Sequence, residues 1–347
     1  MDEGEDPREC RLAARTTMGM DACRLEARTT MGMDVMGRGD DGAAEGGSGG
    51  VEVGGDGLAE RGERGDGYEL VQLANGTWSV HARRERETFH PVVGPAAEAE
   101  ALYVRGLRLV ARMAAKHGEF VLWDVGLGAA GNVLTVLEAT QELSGSLRVV
   151  SFDRTLEPLR FALGEERRLG YLARAVGWVR VLLDRGRAEF RNGRQAVVWE
   201  VREGDFPTLL AGGAAGSLPA PDAIMYDAYS PATNPEMWTL PLFRRLQGRL
   251  DPGRPCALTT YSRSTLLRVT WLLAGLFVGV GGATGEKEET TIGANCRELI
   301  ERPLDRRWLG RVRRSTSAEP LGEARYRQAR LSAMHWEQLE RHPQFAG

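Results

Sequence analysis

The densest group of potentially reactive side chains lies in the segment DAYSPATNPEMW, residues 227–238. Part of it is helix chemistry, because Asn234–Glu236 supplies an N-cap residue, a proline suited to the first helical position and an acid that complements the positive helix end. This leaves Asp227, Tyr229 and Ser230 without a structural reason. A carboxylate can orient an acceptor and help to remove its proton, and two hydroxyls can position it. We therefore predict that these three residues form the catalytic group.

A glycine-rich turn follows the apolar segment FVLWDV and contains Gly126, Gly128 and Gly131. The spacing G-x-G-x-x-G occurs in dinucleotide-binding folds, and by itself it does not distinguish one nucleotide cofactor from another. Asp124 lies two residues before the first glycine, where a carboxylate can pair with the ammonium of a methionine moiety and would repel a pyrophosphate. The alternative is that Asp124 only caps the turn. The pattern favours S-adenosylmethionine as the cofactor.

Further cofactor-binding candidates end the following strands. Asp153 closes the segment LRVVSFD at the spacing of an acid that accepts both ribose hydroxyls, a contact shared by nicotinamide and adenosylmethionine folds. Asp205 follows AVVWEV and can accept from the exocyclic amine of adenine, or it can be a solvated turn residue. Asn132 ends the glycine motif and completes the predicted set. His90 could assist the reaction, although a loop histidine before a proline is more often structural.

The elements that must position these residues are short apolar strands that alternate with amphipathic segments from Phe120 onwards. This alternation predicts an α/β fold with a doubly wound, mostly parallel, seven-stranded sheet, in which ligands bind at the carboxyl ends of the strands. The segments FVGVG and TTIGA suggest an antiparallel pair at the sheet edge. Asn75 and Gly76 predict an N-terminal β-hairpin, and a long helix is expected from Ala96 to about Lys116.

Composition divides the chain of 347 residues into four regions. We expect a disordered leader with a tandem 13-residue repeat at 1–66, because this region has too few large apolar side chains to offset the entropy of ordering. The N-terminal hairpin and helix are expected at 67–116 and the catalytic core at 117–320. A helical, arginine-rich tail is expected at 321–347.

Charge and cysteine usage limit the remaining possibilities. Four cysteines without a C-x-x-C pair argue against a zinc site or a disulfide scaffold and fit a reducing, cytoplasmic location. No secretory signal, membrane span or metal is expected. The net charge of −3 gives no overall field that attracts nucleic acid, so any RNA contact requires a local patch. Six arginines before the tail form the candidate patch, and the equally good alternative is that they only form a solvated helix face: Arg302, Arg306, Arg307, Arg311, Arg313 and Arg314.

Two of these motifs resemble the methyltransferase domain family of MnmC proteins. DAYSPATNPEMW is similar to the family element D-G-F-A-P-x-x-N-P-x-M-W, and WDVGLGAAGN is similar to G-E-L-G-F-G-T-G-x-N. A looser match is ETFHPVVGPAAEAEALYV, and the resemblance extends from about Tyr68 to about Pro320. It implies S-adenosylmethionine as cofactor and methylation of the aminomethyl group on the wobble uridine of certain tRNAs.

Residue by residue, the resemblance assigns Gly126, Gly128 and Asp153 to the cofactor and Asp227 to the substrate amine. The chain departs from the family at Asp124, where the family has glutamate, and at Tyr229-Ser230, where it has Phe-Ala. A late family segment rich in Lys and Arg is acidic here. No flavin-dependent domain is expected after Pro320, because few residues follow.

Three functions therefore remain open. The first is methylation of a tRNA amine. The second is a methyltransferase of the same fold that acts on a small molecule or another acceptor. The third is an NAD-dependent dehydrogenase that uses the GLGAAG turn, against which Asp124 and the 227–238 segment both argue. Oligomeric state has no signature in the sequence.

Overall fold

The computed structural model describes residues 67–212, 218–285 and 288–346. The predicted leader, residues 1–66, lies outside these ranges. Within them, no helix is long and apolar enough to cross a membrane.

A small N-terminal sheet precedes the main body. It consists of β1 (Tyr68–Gln72), β2 (Trp78–Ala82) and β3 (Glu87–Thr88), all antiparallel. The first two strands form the predicted hairpin, and Gly76 in its turn has a φ of 83°, a conformation that glycine adopts without strain. The third strand extends the hairpin and leads the chain towards the carboxyl edge of the main sheet.

The main sheet has eight strands, in the order β10-β11-β9-β8-β4-β5-β7-β6. Five of them, β4, β5, β7, β8 and β9, are parallel to their neighbours in this group. The strands are β4 (Glu119–Val125), β5 (Gly145–Asp153), β6 (Arg187–Asn192), β7 (Gln195–Glu203), β8 (Ala223–Tyr226), β9 (Ala257–Thr260), β10 (Phe277–Gly281) and β11 (Thr290–Ala294).

The predicted α/β class, the mostly parallel sheet and the antiparallel pair β10–β11 are confirmed. The predicted number of seven strands was one too low. The additional strand is β6, which pairs antiparallel with β7 at one edge. Its sequence, RAEFRN, has little apolar character because an edge strand exposes much of its surface, so hydrophobic patterning did not reveal it.

Helices cover both faces of the sheet, as expected for a doubly wound fold. They are α1 (Pro95–Ala99), α2 (Leu109–Ala115), α3 (Gly131–Thr140), α4 (Glu157–Gly164), α5 (Glu166–Leu169), α6 (Val176–Arg185), α7 (Phe206–Ala211), α8 (Leu240–Gln247), α9 (Thr265–Leu273), α10 (Arg306–Arg314) and α11 (Ala333–Glu340). A hydrophobic core lies on each face of the sheet, and alternate residues of β4 point into one or the other. Phe120 and Leu122 pack on one face, and Val121 and Trp123 pack on the other.

The prediction of one continuous helix from Ala96 to about Lys116 was wrong. After α1 the chain forms a π-helical segment at Glu100–Arg105, and Arg108 then takes a left-handed conformation with a φ of 54° before α2 begins. Left-handed backbone interrupts the helical hydrogen-bond ladder. The periodicity of apolar residues continues across this break, which explains why the sequence suggested one helix.

The C-terminal region is only partly helical. After α10 the chain runs without regular structure to α11, and a short 3-10 helix follows at Pro343–Phe345. A helical tail was expected at 321–347. Within the described residues of this range, α11 and the 3-10 helix are the helical elements.

Candidate active site

A cavity of about 370 Å³ lies at the carboxyl ends of β4, β5, β7 and β8. Its floor is formed by the turns that follow these strands, and the N-terminal sheet and the loop after it cover one side. In the strand order β5-β4-β8, β5 and β8 lie on opposite sides of β4. The cavity is therefore at the point in an open α/β sheet where ligands bind.

The glycine-rich turn is held very close to the turn after β8. Gly126 has a φ of 95°, and a Cβ atom there would lie 2.4 Å from the carbonyl oxygen of Asp227. At Gly128, φ is 51° and the backbone N–H donates to Oδ2 of Asp153 over 2.8 Å. Gly126 therefore requires glycine, Gly128 has a left-handed conformation that favours it, and the turn brings the carboxylates at 153 and 227 to the same cavity.

Asp227 and Asn132 are joined directly. The Asn132 amide Nδ2 donates to Oδ2 of Asp227 over 2.7 Å, and both side chains line the cavity. Burial raises the pKa of the Asp227 carboxyl, and Glu98 adds to the shift, while His90, Asn132 and Tyr103 oppose it. A carboxylate with a raised pKa is a better proton acceptor than an exposed one.

Asp124 lies beneath the cavity and is not part of its lining. It is 1% exposed and accepts a hydrogen bond of 2.8 Å from the Ser151 hydroxyl, which in turn accepts from Nε1 of Trp199. Oδ1 of Asp124 has no hydrogen-bond partner among the described residues. Burial raises the pKa of this carboxyl to about 7. The side chain does not cap the turn, the alternative considered from the sequence.

The two acids after β5 and β7 differ in their surroundings. Asp153 is almost enclosed; burial raises its pKa, whereas the backbone N–H groups of Gly128 and Thr155 lower it. Asp205 is half exposed and caps α7, because its Oδ2 accepts from both the backbone N–H and the hydroxyl of Thr208. Both line the cavity. Asp205 therefore has a structural role as the N-cap of α7, and a contact with a ligand would be additional to this role.

Tyr229 and Ser230 line the same cavity but have different contacts. The ring of Tyr229 lies against Phe89, with centroids 5.9 Å apart, and burial raises its pKa. The Ser230 hydroxyl donates to Oε1 of Glu87 over 2.7 Å, and Thr233 donates to the same oxygen. Ser230 thus links the segment that follows β8 to β3 of the N-terminal sheet.

The segment after Ser230 also differs from the helix start suggested by the sequence. Asn234 precedes a 3-10 helix, Pro235–Trp238, and its side chain donates to Glu236 instead of capping the backbone. The α-helix begins later, at Leu240, and is capped by Thr239.

His90, which the sequence offered as a possible assistant, meets Asp227 together with two residues that the sequence did not select, Glu98 and Tyr103. His90 places Nε2 3.8 Å from Oδ2 of Asp227 and Nδ1 3.7 Å from Oε2 of Glu98. Tyr103 is fully buried beside them, and its pKa is raised by burial and by the charge of Asp227. Glu98 and Tyr103 lie in the helical region before β4, so only the fold brings them to the site. His90 followed by proline was the one available signal.

The cavity is strongly acidic. Among the described residues, one guanidinium lines it together with six carboxylates: Glu85, Glu87, Glu98, Asp153, Asp205 and Asp227. The guanidinium, Arg154, is itself paired with Glu236. Such a field attracts cationic ligands and repels a pyrophosphate. In the described ranges, no group of three or more His, Cys, Asp or Glu side chains is arranged to hold a metal ion.

The arginines of the candidate patch are largely engaged within the chain. Arg302 donates to the carbonyl of Gly281, and Arg306 donates to that of Phe345. Arg313 lies over the ring of Trp336, with its guanidinium carbon 4.5 Å from the centroid. All six remain exposed: Arg302, Arg306, Arg307, Arg311, Arg313 and Arg314.

Comparison with known proteins agrees with this geometry. Residues 199–295 match a family model described as S-adenosyl-L-methionine-dependent methyltransferase. The chain is 29% identical over 214 residues to the tRNA 5-methylaminomethyl-2-thiouridine biosynthesis bifunctional protein MnmC of Methylibium petroleiphilum, covering 59% of this chain and 31% of that protein. It is 28% identical over 222 residues to the MnmC protein of Cupriavidus necator, covering 62% and 32%. The matches thus span about a third of the length of these relatives.

Among solved structures, MNMC2 from Aquifex aeolicus matches with a TM-score of 0.56 and 21% identity, covering 80% of this chain and 84% of that one. At this identity the match speaks for the fold. The family model and the relatives favour methyl transfer over the dehydrogenase alternative. Together, the sheet, the glycine-rich turn and the match of residues 199–295 support an S-adenosylmethionine-dependent methyltransferase whose domain is similar to the methyltransferase region of MnmC proteins.

Proposed function

We propose that this methyltransferase transfers a methyl group to the aminomethyl amine of a wobble uridine in tRNA. The observation that carries the proposal is Asp227, a carboxylate 19% exposed at its side chain and fixed by Asn132 at the cavity floor, next to the glycine-rich turn. An amine that must lose a proton before it can attack a methyl group needs such an acceptor. The relatives named for tRNA 5-methylaminomethyl-2-thiouridine biosynthesis support the choice of amine.

The residues present fit S-adenosylmethionine. Gly126 lets the glycine-rich turn pack directly against the turn after β8, and the acidic lining suits a cofactor with an ammonium and a sulfonium group. Asp153 would accept from the ribose hydroxyls, and Asp205 would lie towards the adenine. Bound there, the cofactor supplies an electrophilic methyl group for an in-line displacement.

The ammonium of the cofactor requires an acceptor of its own. Oδ1 of Asp124 and Oδ1 of Asn132 are both buried and without a hydrogen-bond partner among the described residues. Unsatisfied buried oxygens are uncommon and costly, so they are candidates for such a contact. Asn132 lines the cavity, whereas Asp124 lies beneath it and would act through a small shift of the turn or by its charge alone.

The chain's own groups then prepare the acceptor. An alkyl amine is largely protonated at neutral pH and has no free electron pair. Asp227 accepts its hydrogen bonds, orients it and takes up the proton, and Tyr229 provides an aromatic surface beside Phe89 against which a base can stack. Ser230 contributes by holding the strand-end segment on Glu87.

The arginine patch is the candidate tRNA surface. Contacts with backbone carbonyls leave the charge of Arg302 and Arg306 unchanged, so the patch keeps its positive potential. Replacing Arg307, Arg311 and Arg314 with Ala should weaken tRNA binding and reduce its dependence on salt concentration, because fewer counterions are released. Binding measured between low and high salt tests this, with Arg194→Ala as a control for one exposed arginine on the opposite sheet edge.

The decisive experiment is methyl transfer from labelled S-adenosylmethionine to tRNA that carries 5-aminomethyl-2-thiouridine, with the same tRNA lacking the aminomethyl group as control. Label in the first tRNA alone supports the proposal. Calorimetry with S-adenosylmethionine and with NAD tests the cofactor separately. Tighter binding of NAD would contradict the assignment of the cavity.

One observation favours a second acceptor class. The six carboxylates around the cavity repel phosphates as well as pyrophosphate, and they suit a small cationic amine that enters without a nucleic acid backbone. If tRNA does not bind at low salt and a small alkyl amine is methylated, this alternative is the correct one.

A further inference from the structure

The environment of Asp227 poses a problem of proton removal. The carboxylate is largely covered, with 19% of its side chain exposed, and Oδ2 already accepts a hydrogen bond from Asn132. A proton that Asp227 takes from an amine must leave before the next turnover. Among the described residues, the imidazole of His90 lies 3.8 Å from that same oxygen.

His90 is oriented as a histidine that works with a carboxylate on each side. Its Nδ1 faces Oε2 of Glu98 on α1 at 3.7 Å, and its Nε2 faces Asp227. Both distances are slightly longer than hydrogen bonds, as is common at catalytic sites without bound substrate. A proton on Nδ1 that points to Glu98 leaves the electron pair of Nε2 directed at Asp227.

The backbone supports the same view. His90 has a φ of 50°, in the left-handed region, which costs a residue other than glycine about 1–3 kcal/mol and recurs at functional sites. Its neighbours Phe89 and Pro91 also line the cavity. The strained residue therefore places the imidazole between two buried carboxylates.

We propose that His90, oriented by Glu98, receives from Asp227 the proton that the acceptor amine gives up. This inference rests on the proposed amine methylation. The N–H bond of the substrate ammonium breaks, and its electron pair stays on nitrogen. The proton forms an O–H bond at Asp227 and then an N–H bond at Nε2 of His90. The resulting imidazolium is balanced by Glu98 and gives its proton to water when the products leave.

The groups that face His90 set its charge. Burial alone lowers the pKa of the imidazole, but the adjacent carboxylate of Glu98 and the charges of Asp227 and Asp124 raise it above its ordinary value. Tyr103, from the π-helical segment, packs on the same group as a neutral phenol. The relay needs the neutral imidazole, so turnover should rise with pH through the pKa of His90.

The first test does not depend on any acceptor. The imidazole of His90 is titrated by NMR in the full chain, with His335 as an internal reference. Glu98→Gln and Asp227→Asn should each lower the pKa of His90, because each removes a negative charge that faces it. Glu85→Gln removes a cavity carboxylate that does not face His90, and should leave the titration unchanged within error. Identical titrations in all four proteins would overturn the inference.

The second test distinguishes proton transfer from a structural role. His90→Gly accepts the left-handed backbone without strain and leaves room for a free base. We expect turnover to fall roughly tenfold or more, with the affinity for S-adenosylmethionine within threefold of wild type. The loss should not exceed about 10²-fold, the lower end of the 10²–10⁴-fold typical of a general base, because Asp227 remains. Added imidazole should restore part of the rate, and pyrazole, a ring of similar size but much lower basicity, should not.

The outcomes separate the two proposals. Coupled titration of His90 without methylation of tRNA overturns the proposed acceptor, while the contact of His90 with both carboxylates stands; the relay is then tested with the small alkyl amine as acceptor. Methylation of tRNA by His90→Gly at the wild-type rate, or equal rescue by both rings, overturns the relay and leaves the proposed function intact. In Glu98→Gln, the rise of turnover with pH should move to lower pH, since the pKa of His90 is lower there.

Discussion

Asp227→Asn is the substitution that tests the chemistry of the site most directly. The amide has nearly the shape of the carboxylate, and its oxygen can still accept the 2.7 Å hydrogen bond from Nδ2 of Asn132. The substitution therefore removes charge and basicity while it keeps the local packing.

The expected loss is kinetic. A positioned general base contributes typically 10²–10⁴-fold to the rate, so turnover should fall by about 10²-fold or more, equivalent to about 2.7 kcal/mol in the activation free energy. Part of the activity should return at high pH, where more of the amine arrives without its proton. The affinity for S-adenosylmethionine should change little, because its contacts are assigned to other residues.

Stability should change in the opposite direction. Burial raises the pKa of Asp227, so ionisation of this group favours the unfolded chain at neutral pH and above. A neutral amide removes that cost, and the melting temperature at pH 8 should equal or exceed that of wild type. The assay combines initial rates of labelled methyl transfer, calorimetry with the cofactor and thermal unfolding. A folded variant that binds cofactor and turns over at the wild-type rate would falsify the role assigned to Asp227.

Three further predictions concern the elements around the site. Gly126→Ala should destabilise the fold by more than Gly145→Ala when both are measured by urea unfolding. Both residues have positive φ, so both variants carry a backbone strain of about 1–3 kcal/mol. Only at Gly126 would the Cβ also lie 2.4 Å from a backbone oxygen. Ser230→Ala should lower the free energy of unfolding by about 1 kcal/mol, since it removes the 2.7 Å hydrogen bond to a glutamate of β3; an unchanged melting temperature would show that this tie does not matter. Asp124→Asn should stabilise the protein at pH 8, and the gain should fade as the pH falls from about 7 to about 4. Burial raises the pKa of this carboxyl from 3.8 to about 7, so the folded state takes up the proton first and towards pH 4 the carboxyl is neutral in the unfolded chain as well. A gain that is independent of pH would contradict this explanation.

Much of the architecture could be predicted from local patterns. Alternating strands and amphipathic segments indicated the doubly wound sheet, and Asn75 and Gly76 indicated the hairpin. These features depend on periodicity and turn chemistry, which act over a few residues. The strand β6 and the break at Arg108 were not predictable in this way, because an exposed edge strand lacks an apolar signal and one left-handed residue leaves the apolar periodicity intact.

The candidate site shows the same division. Asp153, Asp227 and the glycines follow strands directly, so the rule that ligands bind at carboxyl strand ends places them at one cavity from sequence alone. Asp124 and Asp205 were selected by the same rule, but the structure places the first beneath the cavity and uses the second as a helix cap. Position along a strand fixes which end a residue occupies and does not fix which hydrogen bonds its side chain makes.

The sequence by itself indicated the class of fold through its alternating segments, and it indicated methyl transfer and the candidate residue Asp227 through two continuous motifs. Only the tertiary structure decided what surrounds Asp227. His90, Glu98 and Asn132 come from a loop and two helices separated along the chain, and they meet because α1 and α3 pack on the same face of the sheet beside the carboxyl end of β4. Contacts of this kind depend on packing between distant segments, and no local pattern of residues specifies them.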